Sequence, residues 1–279
     1  MQLSIPMHKL RLDVLLHERG LASSRAKAAA LIMGGGVFVG GMRAVKPGMQ
    51  VDSGADVEVR GGELPYVSRG GLKLQKALEF FGVSAQSRAC IDCGASTGGF
   101  TDCLLQAGAK LVYAVDVGYG QFAWSLRNDP RVVTMERTNI RNVTPDMLAE
   151  SPSLAVIDVS FISLRIVLPV VRNLLTENGE VICLIKPQFE AGRESVGKKG
   201  VVKDPQTHKE VLDAFLQNAA NAGFCVQGLT FSPVKGPQGN IEYLGFLGSE
   251  SETCIDTNTV VAESYKEFNN EQQEDNTVP

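Results

Sequence analysis

Apolar and polar positions follow two different rhythms along this chain. In RLDVLLHERGLASSRAKAAALIMGGG, Leu12, Leu15 and Leu16 recur at i, i+3 and i+4 and predict a short helix. Gly20 supplies its C-cap, and Ser23 or Ser24 starts a second helix that stops at the run Gly34 to Gly36. VFVGGMRAVKPGMQVDSGADVEV then gives short β-runs at 37–39 and 57–59, with Gly-Gly and Pro-Gly turns between them. From VSRGGLKLQKALEFFG onward, apolar runs alternate with amphipathic helical stretches, the pattern of a parallel sheet covered on both faces. Strands are expected at 89–92, 111–115, 132–135, 154–158, 181–185, 225–231 and 243–247. Seven strands in that rhythm predict a doubly wound α/β fold, whose ligands bind outside the carboxyl ends of the strands. RGGELPY reads as the linker, so the expected organisation is a small α+β module over 1–62, a linker at 63–68, the α/β domain over 69–248 and a tail over 249–279.

Charge changes this picture more than composition does. The chain of 279 residues is 44% hydrophobic, enough for a proper core, and its net charge is −4. That total hides +3 over 1–62, zero over 63–248 and −7 over 249–279. The tail is polar as well as acidic, and it is expected to be largely disordered apart from a short helical turn. No apolar stretch is long enough to span a membrane, and MQLSIPMHKLRLD lacks the h-region of a signal peptide, so a soluble cytoplasmic protein is expected. The six cysteines lie mostly inside apolar runs and suit a reducing compartment. Cys90 and Cys93 form a C-x-x-C, but no second pair completes a zinc site, so they are read as buried strand cysteines and no metal is expected.

Candidate chemistry concentrates where the first strand of the larger part hands over to a helix, in IDCGASTGGFTD. Gly94, Gly98 and Gly99 are spaced G-x-x-x-G-G, unlike the G-x-G-x-x-G dinucleotide fingerprint, so a nicotinamide cofactor is not expected. Three glycines with Ser96 and Thr97 let a ligand approach backbone N–H groups at a helix N-terminus, whereas a plain turn needs one glycine. Asp116 ends the second strand about twenty residues on, where a carboxylate accepts hydrogen bonds from a ribose diol. A nucleoside without a pyrophosphate fits this loop, and S-adenosylmethionine is the commonest such cofactor in seven-stranded sheets. For an acceptor site, Lys73, Asp158, Lys186 and Glu242 all fall at loops or strand ends. Each alone reads as a solvated charge, but Lys186 directly follows VICLI and is carried to the rim of a buried strand. A desolvated lysine beside a second cation loses its proton more readily.

The runs YVSRGGLKL, DCGASTGGFTD, DVSFISL, LIKPQFE, KGVV and GNIEYL occur in matching order within the span from Lys9 to Leu247. They resemble the TlyA (hemolysin A) family of ribosomal RNA 2′-O-methyltransferases, related to the FtsJ-like enzymes, and residues 1–62 resemble its S4-like RNA-binding domain. The resemblance implies a seven-stranded Rossmann-like class I methyltransferase sheet that moves a methyl group from S-adenosylmethionine to a cytidine 2′-hydroxyl of ribosomal RNA within ribosomal subunits. It implies a catalytic tetrad of Lys73, Asp158, Lys186 and Glu242, and a cofactor site of Asp92, Gly94, Ser96, Thr97, Gly98, Gly99, Phe100 and Asp116, with Asn139 and Ile140 of TNI bordering the adenine. Lys186 is then the expected base, oriented by Asp158 and kept ready to lose its proton by Lys73, with Glu242 positioning the hydroxyl or balancing charge. Arg11, Arg19, Arg25, Lys27, Arg43 and Lys46 read equally as RNA contacts or solvated charge until the S4 resemblance favours RNA. Gly40-Gly41 departs from the small polar turn usual at that point of an S4 domain. EAGRESVGKKGVVKD reads equally as a mobile basic lid and as a solvated loop. A cytolytic membrane protein, the rival that the family name suggests, needs a spanning or amphipathic segment that the sequence does not offer. An RNA-binding protein with a vestigial pocket is disfavoured by the intact loop, acid and tetrad.

Overall fold

The computed structural model describes residues 8–33, 35–44, 46–59, 64–250 and 254–275, the side chains of Pro237 and of 270–275 excepted. Gly34, the first half of RGGELPY and the two ends of the chain lie outside the described residues. The chain forms two compact units, Met1–Gly71 and Leu72–Pro279.

In the first unit, β1 (Lys9–Arg11) leads into α1 (Leu12–Glu18), followed by α2 (Arg25–Met33), β2 (Val37–Val39), β3 (Met42–Arg43), β4 (Gln50–Asp52) and β5 (Val57–Val59). Leu12, Leu15 and Leu16 of α1 meet Leu31 and Ile32 of α2 in a single core. Gly20 takes a φ of +68° just past α1, and the Ser24 hydroxyl accepts the Lys27 amide at 3.2 Å to start α2. β2 is the central strand of a small antiparallel sheet with β3 and β5. Gly40 and Gly41 both have positive φ and make the two-residue turn from β2 to β3, a conformation that favours glycine at both positions. β1 pairs with β4 through Leu10 opposite Val51. That pair escapes the sequence pattern because KLR and QVD each carry a single apolar residue between polar neighbours, unlike VFV or VEV.

The second unit begins within α3 (Gly70–Phe81) and continues through β6 (Ala89–Cys93), α4 (Gly99–Gln106), β7 (Leu111–Val115), α5 (Trp124–Arg127), β8 (Val132–Met135) and β9 (Leu154–Ile157). After these come α6 (Leu164–Leu174), β10 (Glu180–Ile185), α7 (Pro187–Glu190), α8 (Pro205–Asn221), β11 (Cys225–Phe231), β12 (Tyr243–Gly248) and α9 (Thr257–Asp275). The sheet order is β11-β12-β10-β9-β6-β7-β8. The seven expected strands are present in a mostly parallel sheet, with β12 running antiparallel to both β10 and β11. Parallel neighbours need a crossover, usually a helix, and the segment between Phe231 and Tyr243 holds only a single 3-10 turn. Central β6 is buried at all five positions, as expected of a strand flanked by parallel neighbours. Cys90 and Cys93 are both buried in it, and their odd spacing sends them to opposite faces, so C-x-x-C here is no chelating pair.

The tail is a second correction, since Thr257–Asp275 is a helix where disorder was expected. Val260, Val261, Ser264 and Phe268 are buried along one face of it, and Thr257 donates to Asp213 of α8 at 2.7 Å. Asp256 accepts from the Asn258 amide and the Thr259 hydroxyl at its start. Averaging polarity over the tail hid this apolar stripe, which spans barely a third of its positions.

Candidate active site

The chain leaves β6, builds β7 and β8 on one flank, and returns to place β9 on the other, so the loops after β6 and β9 diverge at the carboxyl end of the sheet. A cavity of about 800 Å³ opens there. Gly94, Ser96, Asp116, Asn139, Ile140 and Asp158 all contribute to its wall. Asp92, Thr97, Gly98, Gly99 and Phe100 are not among its lining residues, although the resemblance placed them in the cofactor site.

Two of the loop glycines are demanded by the chain itself. Gly94 has a φ of +89°, and a Cβ there would lie 2.5 Å from the Asp158 carbonyl oxygen. A Cβ on Gly98, at φ +99°, would lie 2.4 Å from the Leu126 side chain. The glycine count alone is therefore not ligand evidence. Gly94 instead lets the end of β6 approach the end of β9 closely enough to set Asp158 on the cavity wall.

Asp92 lies beneath the loop, fully buried in β6, and accepts the Thr101 hydroxyl of α4 at 2.7 Å. Its Oδ1 has no hydrogen-bond partner, and burial pushes its pKa up to about 7, the Thr101 bond opposing and the nearby Asp158 charge reinforcing that rise. Asp116 faces the cavity, and its carboxylate accepts the Ser96 amide at 2.8 Å and the Gly118 amide at 2.6 Å. Gln121 Nε2 also donates to Oδ1 at 3.2 Å, so the three bonds fix the carboxylate and leave Oδ2 acceptor capacity for a hydroxyl. Asn139 accepts the Arg141 amide at 3.1 Å, which turns the chain so that Ile140 offers an apolar wall.

The four acceptor-site candidates form two ion pairs. Lys73 Nζ on α3 lies 2.5 Å from Glu242 Oε2, with Lys73 8% exposed and Glu242 fully buried. Lys186, just past β10, has Nζ 2.6 Å from Asp158 Oδ1, an ion pair outside hydrogen-bond geometry, and it donates to Ser160 Oγ at 3.0 Å. The reversal of β12 is what brings Glu242 here: it precedes its strand, yet lies at the end of the sheet where Asp158 and Lys186 follow theirs. Gln188 Nε2 donates to Glu242 Oε1 at 3.3 Å and ties the Lys186 segment to the other pair. Lys73, expected to act on Lys186, has Glu242 as its ion-pair partner.

Sequence reasoning missed Ser160 and Gln188, whose side-chain Oε1 is buried with no partner, an acceptor facing no donor of the chain. It also missed the ring pair of Phe161 and Phe189, 4.8 Å apart on the cavity wall. Phe161 is 90% exposed with a φ of +62°, a conformation that no sequence pattern announces. In the first unit all six basic candidates are exposed. Arg11 and Arg25 converge on the buried Asp13 at 2.9 and 3.4 Å, Arg19 donates to the Ser53 and Ala55 carbonyls, and Arg43 lies over Phe38.

Among the described residues no helix is long and apolar enough to cross a membrane, and no His, Cys, Asp and Glu cluster fits a metal ion. Residues 66–249 match the FtsJ-like methyltransferase family, and residues 10–57 match the S4 domain. The 16S/23S rRNA (cytidine-2′-O)-methyltransferase TlyA of Mycobacterium tuberculosis is 46% identical over 88% of this chain and 92% of its own length. Bacillus subtilis YqxC, provisionally named an rRNA methyltransferase, is 57% identical over 85% of this chain and 84% of its own. A Streptococcus thermophilus structure, solved under the provisional name hemolysin, is 47% identical with a TM-score of 0.77, covering 95% of this chain and 98% of its own. The chain therefore belongs to the FtsJ-like methyltransferase family, as a relative of TlyA with an S4 domain ahead of its methyltransferase domain.

Proposed function

We propose that this enzyme transfers the methyl group of S-adenosylmethionine to the 2′-hydroxyl of a cytidine in ribosomal RNA, acting on ribosomal subunits in the cytoplasm. The observation that carries the reading is the Asp158–Lys186 pair, with Asp158 on the cavity wall and Lys186 at its back. The residues present fit the cofactor: the cavity is large enough for a nucleoside, Asp116 offers a fixed carboxylate to a ribose diol, and Ile140 an apolar wall to a base. When bound, S-adenosylmethionine supplies a methyl group already activated by its sulfonium. The chain's own work is then to align an in-line displacement, worth roughly 7–11 kcal/mol, and to take up the hydroxyl proton. Lys186 Nζ, as the neutral amine after giving up its own proton to solvent, receives that proton, held in place by Asp158 and Ser160, a contribution of about 10²–10⁴-fold. Glu242 neutralises Lys73, and Gln188 Oε1 accepts from a ribose hydroxyl. The S4 domain supplies RNA affinity through its exposed cations.

The test is transfer of labelled methyl from S-adenosylmethionine to purified ribosomal subunits, followed by mapping of the product. Alkali-resistant linkages at a cytidine are expected. Label on a base, or none on RNA, would overturn the reading.

A further inference from the structure

A second cavity in the catalytic unit, of about 980 Å³, shares no lining residue with the first. Its wall includes Ile241, the neighbour of Glu242, and it is lined by Lys198, Lys199, Lys203 and Lys235 against two carboxylates, Glu194 and Asp204. Asp204 is engaged elsewhere, as the N-cap of α8, accepting the Gln206 and Thr207 amides and the Thr207 hydroxyl. None of the four lysines forms an ion pair among the described residues. Lys235 instead sits over the Phe268 ring at 4.8 Å.

The segment that carries three of these lysines is fastened at several points. Gly200 N bonds Gly197 O at 2.8 Å and Gly197 N bonds Val201 O at 3.1 Å, which closes a tight turn with Lys198 and Lys199 at its tip. Asn240, fully buried, donates to the Gly200 carbonyl at 2.9 Å and accepts the Val202 amide at 3.1 Å. His208, also fully buried, bonds the Val202 carbonyl at 3.1 Å, and Tyr265 of α9 donates to the Lys203 carbonyl at 2.7 Å. A loop with only solvation to satisfy does not need its backbone held by two fully buried side chains. These anchors hold residues 197–203 as one wall of the cavity. The same anchors connect it to the active site, because Asn240 lies two residues before Glu242 and a Cβ on Gly236 would meet the Glu242 carboxylate.

We propose that this cavity binds the sugar–phosphate backbone of the RNA strand adjoining the methylated nucleotide, with the four ammonium groups on phosphates and the half-buried Tyr265 ring against a base. The proposal rests on the methyltransferase reading for what it calls the methylated nucleotide. Unpaired cations beside an aromatic ring are the combination that single-stranded RNA uses, and an acidic peptide would use only the cations. The helix in the acidic tail thereby gains a role, since α9 supplies Tyr265 and Phe268 to a basic site.

The test compares the full-length chain with the triple variant Lys198→Gln, Lys199→Gln, Lys235→Gln, measuring affinity for deproteinised 16S and 23S rRNA across a salt series. Loss of about three phosphate contacts should flatten the slope of log affinity against log salt by about 2 and weaken binding at low salt by about tenfold or more. S-adenosylmethionine affinity reports that the variant is folded, and it should not change. Equal slopes and affinities in a folded variant overturn the proposal. So does a variant that keeps its rRNA affinity but loses affinity for polyglutamate, which would make the cavity a site for acidic protein. A wild-type chain that binds rRNA through these lysines but transfers no methyl group overturns the methyltransferase reading instead, and leaves the cavity an RNA site.

Discussion

In the N-terminal unit two exposed guanidiniums, Arg11 and Arg25, reach inward to one buried carboxylate, Asp13, whereas in the catalytic unit Lys73 and Lys186 are themselves buried, each against its own carboxylate. The difference follows from where the anions sit. Asp13 occupies the first turn of a surface helix, so its partners arrive from solvent and are only partly desolvated. Glu242 and Asp158 sit at strand ends of a sheet covered on both faces, so their partners must be buried too. An exposed pair is screened by salt and worth little, while breaking a buried one leaves an uncompensated charge in a poor solvent. The cations around Asp13 are thus built for additive, salt-sensitive attraction, and the two buried pairs of the catalytic site for fixed geometry.

The sharpest way to break this contrast is at Lys186. Lys186→Ala is expected to lower methyl transfer by about 10²–10⁴-fold while S-adenosylmethionine still binds, because the lysine handles a proton and not the donor. Lys186→Arg should fail as well, since a guanidinium stays protonated. Near-normal turnover by the arginine variant would assign Lys186 to electrostatics alone. Glu242→Ala comes next. It strands Lys73 in the interior and should reduce stability by about 3–5 kcal/mol, read as a fall in the urea midpoint. A loss under 1 kcal/mol would mean that water reaches the pair and that the contrast with Asp13 is false.

Asp116→Ala removes the charged acceptor on the cavity wall. A charged hydrogen bond contributes roughly 1.5–3 kcal/mol, so S-adenosylmethionine should bind about 10–100-fold more weakly by calorimetry, with rRNA affinity unaffected. An unchanged cofactor titration in a folded variant would take Asp116 out of the site.

The same physics decides what the sequence could reveal. Long apolar runs bounded by turns located all seven strands, and the charged residues just outside those runs, Asp116, Asp158 and Lys186, could be read as strand-end groups before any geometry was known. The direction of β12 was recoverable too, from the missing crossover helix. The helix of residues 257–275 was lost because its apolar stripe is diluted by acidic residues on the other face. Ser160 and Gln188 carry no such signal, since their value lies in a rotamer and a distance across loops. The glycine loop misled in a different way, because Gly94 and Gly98 answer to neighbouring chain atoms and leave a smaller share of the signal to a ligand.

On the N-terminal side, Lys27→Gln, Arg43→Gln and Lys46→Gln together keep Arg11, Arg25 and Asp13 in place. If these exposed cations meet RNA phosphates, the salt slope of rRNA binding should flatten by up to about 2, and the effect should fade at high salt. The catalytic variants should show no such fading, because Lys73 and Lys186 are buried. A salt-independent loss in the N-terminal variant would indicate damage to the fold and not to charge attraction.

A last test probes the contrast through pH, with Asp13 and Asp92 as opposite cases. The Arg11 guanidinium holds the Asp13 carboxyl below the usual carboxylate range, so its contribution is present at neutral pH and is lost as pH falls through the folded-state value. That contribution should be at most about 1 kcal/mol, because its arginine partners are 49% and 58% exposed. Burial instead raises the Asp92 pKa to about 7, so between the ordinary carboxylate value and pH 7 the folded state holds a proton that the unfolded state has given up. The catalytic unit should therefore lose stability as pH rises from about 4 to 7, while the N-terminal unit loses it only on acidification below about 4. Amide hydrogen exchange followed separately in the two units across this range reads both trends, with Asp92→Asn expected to abolish the first and Asp13→Asn the second. If exchange in the catalytic unit slows as pH rises, after correction for the intrinsic rate, Asp92 is ionised in the fold and something on the chain must be balancing its charge.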